Sequence, residues 1–238
     1  MRRCSRGQAV SPPSSSHPLP KKHMKLIPVS LLALAFAGSL LAQSVPTGWK
    51  QRIDRSTNAS DPDGTGAVKL VTAGTGFHAE TPAAAVFWNP ANTATGNFTL
   101  KGTFTLNKPS GHANYYGLIF GGSGLEGAEQ KYTYFMVAQN GNWLVKTRSG
   151  ETTTTTFAGL QGAGRNGSVA HASVKKPDES GKSVNALEVR VQADKVDFVV
   201  NGTVVHSAPK AGLVTDGVWG FRSNHLLDVT VDGLAVTK

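Results

Sequence analysis

Apolar and polar residues alternate through much of the chain, most clearly at 185–206. From Leu187 to Val191 every second residue is apolar, and the alternation resumes from Val196 to Val200 after a short turn. Period-two alternation predicts strands with one buried face, and the break between two such runs predicts a hairpin. Asn201-Gly202 predicts a second hairpin, because both residues tolerate the positive φ of a type I′ turn. Three consecutive strands with one apolar face need a covering layer, which favours a β-sandwich.

Further strands are predicted wherever short apolar or alternating runs lie between turn-forming residues. Asn89-Pro90 is expected to end the fourth of them, and 159–184 is expected to be a long irregular connection. No segment has the periodicity of a three-turn helix. The sequence therefore predicts an all-β fold, a single-domain antiparallel β-sandwich of the jelly-roll type at 43–238. Its predicted strands outside the 185–206 meander are 45–54, 67–72, 76–80, 83–88, 97–106, 115–121, 131–138, 143–148, 151–157, 217–223 and 226–236.

The segment 24–42 is typical of a secretory signal peptide. Lys25 gives a positive start, 26–41 is apolar, and Ala42 is a small residue at the expected cleavage point. An apolar run of 16 residues is shorter than the roughly 20 that a membrane helix needs, so no membrane span is predicted. The segment 1–23 is basic and rich in Ser and Pro, and is expected to be either a disordered leader or the product of a mis-assigned start before Met24. The mature chain is expected to be secreted or periplasmic after cleavage near Ala42.

The charge of the chain is concentrated in this leader. The net charge is +9, but six of the 24 basic residues and none of the 15 acidic ones lie in 1–42. The remainder carries 18 basic and 15 acidic residues, so a nucleic-acid partner is not predicted. The single cysteine, Cys4, lies in the leader as well, so 43–238 has no disulfide, thiol nucleophile or cysteine metal site.

Four motifs resemble the concanavalin A-like lectin/glucanase superfamily. They are the N-x-L-x-V-x-V hairpin at 185–202, D-G-x-W-G-F-R at 216–222, V-x-V-D-G-L-x-V at 229–236 and Y-Y-G-L-I-F-G at 115–121. The chain is most similar to the secreted bacterial domains of unknown function labelled 3-keto-disaccharide hydrolase, and the resemblance covers about 45–238. It implies a two-sheet jelly roll whose concave face holds a sugar in many relatives.

The chain lacks the catalytic signature that the resemblance brings to mind. Retaining glucanases of this superfamily carry two acids in an E-x-D-x-x-E pattern on one strand, so that both carboxylates project from the same face of the strand. The nearest candidates here, Glu126 and Glu129, lie in a Gly-rich loop and are expected to be solvated acids. No G-x-S-x-G, H-E-x-x-H or H-x-H motif is present, so no serine nucleophile, metal or cofactor is predicted. The seven histidines are scattered and are expected to be surface residues.

Strand parity gives better candidates for a binding surface. If Phe135, Trp143 and Phe221 point to the core, the side chains that alternate with them along the same strands point to the opposite face. The aromatic rings there are expected to stack on sugar C–H faces, and the basic and amide groups to donate hydrogen bonds. The alternative is the ordinary polar outer face of a sandwich. The predicted ligand-binding residues are Tyr115, Tyr132, Tyr134, Lys146, Arg148, Arg222, Asn224 and His225.

Three functions follow as hypotheses. The first is an exported, lectin-like carbohydrate-binding protein without catalysis. The second is a glycoside hydrolase of the 3-keto-disaccharide type, using Arg222 and His225 with Asn224 and a loop acid, Glu126 or Glu129; the resemblance implies a His-containing turn at the position of His225. The third is a structural or interaction protein without a small ligand.

Overall fold

The computed structural model describes residues 45–238; the predicted signal peptide at 24–42 and the leader at 1–23 lie outside the described residues. The described chain contains no helix long and apolar enough to span a membrane. Its fifteen strands are β1 (Lys50–Asp54), β2 (Lys69–Ala73), β3 (Gly76–Thr81), β4 (Ala84–Ala94), β5 (Phe98–Lys108), β6 (Tyr115–Ser123), β7 (Lys131–Ala138), β8 (Asn142–Ser149), β9 (Thr152–Thr155), β10 (Val169–Ala170), β11 (Ser183–Val191), β12 (Lys195–Val200), β13 (Thr203–Pro209), β14 (Gly217–Ser223) and β15 (Leu227–Thr237).

The strands form two antiparallel sheets, which confirms the predicted all-β sandwich. Sheet A has the order β1-β4-β14-β6-β7-β8-β10, with β9 added to β8, and sheet B has the order β13-β12-β11-β5-β15-β3-β2. The predicted hairpins at 185–206 are present as β11, β12 and β13, in the centre and at the edge of sheet B. Asn201 has a φ of 51°, as the predicted turn requires.

The core lies between the sheets and is built from the apolar positions of the alternating strands. Leu100, Phe104 and Phe198 of sheet B are fully buried against Phe135 and Phe221 of sheet A. Each such side chain contributes roughly 1.5–3 kcal/mol through the apolar surface it removes from water. Because this burial fixes the inner face of every strand, it also fixes which side chains point outward from sheet A.

One local prediction, the end of the fourth strand, is wrong. Strand β4 does not end at Asn89-Pro90 but continues to Ala94. Its pairing with β14 is interrupted between Val218 and Gly220, so Pro90 lies opposite an irregularity where no ladder hydrogen bond is required of it. Trp219, which lies at this irregularity, is partly buried and packs against the core.

Strand β14 is held in the middle of sheet A by a close backbone approach. It pairs with β4 on one side and β6 on the other. A Cβ atom at Gly220 would lie 2.1 Å from the carbonyl oxygen of Phe87, so only glycine fits there without moving β4. This placement puts Arg222, two residues later, near the centre of the sheet.

Candidate functional site

The side chains that line the outer face of sheet A, which is the face turned away from sheet B, come mainly from β6, β7, β8 and β14. Tyr132 pairs with Arg148 across β7 and β8, and Tyr134 pairs with Lys146. Phe135 follows Tyr134 and Val145 precedes Lys146 along these strands, and both belong to the core, so parity places all four residues on the opposite side. A second apolar cluster that includes Tyr115, Tyr132, Tyr134, Met136 and Leu144 forms the floor of this face.

Three adjoining depressions lie on the outer face, with volumes of about 460, 170 and 230 Å³. The first two share Asp54 and Arg222, and the last two share Asp61, Asn114 and Asn224. We call them together the polar cleft. Its walls contain seven of the eight predicted ligand-binding residues, namely Tyr115, Tyr134, Lys146, Arg148, Arg222, Asn224 and His225, and Tyr132 lies under Arg222.

Arg222 is the centre of a buried network in the polar cleft. It forms an ion pair with Asp54 at the end of β1, and the two side chains are only 10% and 8% exposed. Its Nη1 atom also donates a hydrogen bond to the hydroxyl of Tyr132 at 2.9 Å. The guanidinium carbon lies 5.7 Å from the centre of the Tyr134 ring, within the range of a cation–π contact.

The network fixes the charge of its members. Burial alone would raise the pKa of Asp54, but the charge and hydrogen bond of Arg222, with Arg148 and Arg52 nearby, outweigh it and lower that pKa. Burial raises the pKa of Tyr132 to about 12. Burial disfavours the charged form of Arg222, yet Tyr132 and Asp54 together raise its pKa. Asp54 is therefore ionised at neutral pH and has no proton to donate as a general acid.

Two further arginines and a glutamate form one end of the polar cleft. Glu151 accepts from Nη2 of Arg52 at 3.1 Å and from Nη2 of Arg148 at 2.7 Å. The side chain of Arg52 projects from the same face of β1 as that of Asp54, because the two residues are two positions apart on the strand. Its other Nη atom donates to the carbonyl of Gly127, which joins the β6–β7 loop to this end of the cleft.

The other end of the polar cleft carries two imidazoles and a carboxylate. Asp61 Oδ1 lies 3.1 Å from His112 Nε2 and 3.2 Å from His225 Nε2, and the two Nε2 atoms are 3.2 Å apart. His225 is 6% exposed, so the expectation that every histidine is a surface residue is wrong for it. The turn after β14 buries it under the loop that carries Asp61 and Asp63.

The tyrosines of the polar cleft are not open stacking platforms. Tyr115, Tyr132 and Tyr134 are 7%, 2% and 8% exposed, so the stacking role predicted for them is wrong. Arg222 covers Tyr134, and Asn166 Nδ2 donates to the Tyr115 hydroxyl at 3.2 Å. The more accessible groups are instead the polar side chains around these rings, of which Lys146, Arg148 and Asn224 are half-buried.

The loop acids of the hydrolase hypothesis lie elsewhere. Glu126 is 64% exposed and pairs with Lys50, and neither it nor Glu129 lines the polar cleft. The hydrolase hypothesis stays a prediction, without a neighbouring glutamate for His225.

A larger depression of about 530 Å³ lies beside β3 and β15, but its Lys69 and Glu80 pair with each other at 3.1 Å and are nearly half exposed. It has no buried charged network like that of Arg222.

Sequence reasoning missed Arg52, Asp54, Asp61, His112 and Asn114 in the polar cleft. The two residues of β1 share a face by parity, so a signal existed once the neighbour of β1 was known. The other three lie in the 55–68 and 109–114 connections, which have no periodicity to orient their side chains.

No protein-family model and no curated protein sequence matches the chain. Solved structures do. A carbohydrate-binding module, CBM66, from Bacillus subtilis superposes with a TM-score of 0.55 at 10% identity, covering 81% of this chain and 96% of the module. A GH16 protein of the Bacteroides ovatus mixed linkage glucan PUL, in complex with its product, gives 0.51 at 6% identity over 82% and 97%. A Bacillus subtilis protein of unknown function with a galectin-like fold gives 0.50 at 13% identity over 79% and 88%. The described chain therefore has the concanavalin A-like lectin/glucanase fold.

Proposed function

We propose that this is an exported carbohydrate-binding protein that holds its ligand in the polar cleft. The observation that carries the proposal is the convergence of Lys146, Arg148 and Asn224 with the buried Arg222 network on one face of sheet A. Fixed donors around a shallow depression orient a ligand that is rich in hydroxyl groups. The likeness in fold to a carbohydrate-binding module supports this assignment.

Lys146 is the group best suited to contact such a ligand. It lies between Tyr134 on β7 and Thr155 on β9, and it lines the same depression as Asn166. Burial lowers the pKa of Lys146, and within the described chain no carboxylate lies within ion-pair distance of its ammonium group. An ammonium group in that position gains free energy from a ligand oxygen that accepts its hydrogen bonds.

The binding proposal is tested by calorimetry against a panel of neutral and uronic-acid oligosaccharides. We expect at least one ligand to bind, and Lys146→Met to weaken it about tenfold or more, since a hydrogen bond from a charged group is worth about 1.5–3 kcal/mol. The matched control is Lys101→Met, which removes an exposed lysine from β5 of sheet B.

Two results would overturn the proposal: no heat of binding with any member of the panel, or an equal loss of affinity in both lysine variants.

Export is tested separately. The N-terminal residue of the protein recovered outside the cytoplasm is expected to lie just after Ala42, and recovery of the protein only from the cytoplasm, with 24–42 retained, contradicts export.

A further inference from the structure

Asp61, His112 and His225 are separated widely in the sequence, yet the fold brings one ligand atom of each to a common point in the wall of the polar cleft. The three atoms are Asp61 Oδ1, His112 Nε2 and His225 Nε2. We propose that they form a binding site for a divalent transition-metal ion of the zinc type. The proposal concerns the ion alone and does not depend on a carbohydrate being the ligand of the cleft.

The spacing of the three atoms fits tetrahedral coordination. Zinc binds imidazole nitrogen and carboxylate oxygen at about 2.0–2.2 Å, which places tetrahedral ligand atoms roughly 3.3–3.6 Å from one another. The observed separations of 3.1, 3.2 and 3.2 Å form a nearly equilateral triangle close to that size. An ion about 2.0 Å from each atom therefore fits beside the triangle with little movement of the side chains.

The donor set selects the class of ion. Two imidazoles and one carboxylate suit zinc and its neighbours in the transition series, whereas calcium and magnesium prefer sites made entirely of oxygen. Three protein ligands also leave one tetrahedral position for water or a ligand oxygen, as in sites that act on a ligand rather than in closed structural ones. Asp61 and His112 line one part of the polar cleft, and Asp61 and His225 line the adjoining part.

A neighbouring carboxylate holds the His225 imidazole in a ligating orientation. Asp63 Oδ1 lies 3.3 Å from His225 Nδ1, so it holds the proton on that nitrogen and leaves the Nε2 lone pair for a metal. Asp63 is itself fixed by the backbone N–H of Ser56 at 3.0 Å. Asn114 Nδ2 lies 3.2 Å from His112 Nε2, but its two hydrogens have other acceptors in the carbonyl of His225 and the hydroxyl of Ser110.

The test uses the full, untagged chain after treatment with a chelator, titrated with zinc, calcium and magnesium salts. We expect one zinc site that is at least 100-fold tighter than any calcium or magnesium site. His112→Ala removes a ligand whose side chain is 45% exposed, so the fold is retained, and we expect at least a 100-fold loss of zinc affinity. Asp61→Asn is expected to act in the same direction.

Two further variants separate the site from other zinc-binding groups. Asp63→Asn, which touches no metal, is expected to weaken zinc 10- to 100-fold through His225. His171→Ala, whose histidine bonds to Ser173 away from the cleft, is the control and is expected to leave the affinity unchanged. If zinc binds His112→Ala as tightly as the parent chain, the ion is held elsewhere, for example by leader residues, and the proposal is wrong. A parent chain that binds no zinc overturns it as well.

Discussion

Removing one partner of the buried ion pair between Asp54 and Arg222 is expected to destabilise the domain far more than removing one partner of an exposed ion pair. Asn replaces Asp54 at nearly constant volume but removes its charge, which leaves Arg222 buried without a counter-charge beside two further arginines, Arg52 and Arg148. Removing one partner of a buried ion pair costs about 3–5 kcal/mol. We take about 3 kcal/mol for Asp54→Asn, because the amide oxygen still accepts a hydrogen bond.

For a domain of this size, each kcal/mol lowers the midpoint of thermal unfolding by about 2–4 °C, so Asp54→Asn is expected to lower it by about 6–12 °C. The matched control is Glu80→Gln, the same chemical change in the pair with Lys69, where the side chains are 46% and 43% exposed. An exposed pair contributes about 0–1 kcal/mol, so the control is expected to lose less than about 4 °C.

The assay is thermal unfolding followed by circular dichroism near neutral pH, with calorimetry to confirm a two-state transition. Equal shifts in Asp54→Asn and Glu80→Gln would refute the reasoning, since they would mean that burial adds nothing to the value of the Arg222 pair. A shift that vanishes in high salt would refute it too, because salt screens an exposed pair much more than a buried one.

The remaining predictions concern pH and the packing of sheet A. The pKa of Asp54 is lower in the folded protein than its ordinary value of 3.8, so its contribution to the unfolding free energy is present above about pH 4 and is lost as the pH falls through the folded pKa. Urea unfolding at pH 5 and pH 3 is expected to show a larger loss for the parent chain than for Asp54→Asn, and equal losses would contradict the ionised state of Asp54. Gly220→Ala places a Cβ atom 2.1 Å from the Phe87 carbonyl and is expected to cost about 3 kcal/mol or more, whereas Gly111→Ala meets no atom within 4 Å and is expected to change the midpoint by less than a degree or two. Unchanged unfolding of Gly220→Ala in a thermal melt would show that β4 yields easily.

The strands could be predicted because their signal is local. In β11 and β12 the alternation of Leu187, Val189 and Phe198 with polar neighbours predicts both the strand and its buried face. The same parity argument put Tyr134 and Lys146 on one face without any knowledge of the sheet order. Pro90 shows the limit of such rules, because the irregularity that tolerates it depends on β14, which lies more than a hundred residues further along the chain.

The polar cleft could be predicted only in part, for a physical reason. Asp54 meets Arg222 because β1 joins β4 at the edge of sheet A, and strand order is a property of the whole fold rather than of any segment. His112 meets His225 through loop conformations that no periodic pattern encodes. The sequence showed which side chains leave the sheet outward, but not which of them meet.

Strand β1 has five residues, and within the described chain β4 is its one partner in the sheet. A short terminal strand of this kind opens while the rest of the sandwich stays intact, at a free-energy cost that includes the loss of the Asp54–Arg222 ion pair. Each such opening withdraws Asp54 and Arg52 together and leaves Arg222 facing solvent on one side. Occupancy of the polar cleft and fraying of β1 are thus linked equilibria. A molecule bound in the cleft would slow amide exchange in β1 more than in any other strand.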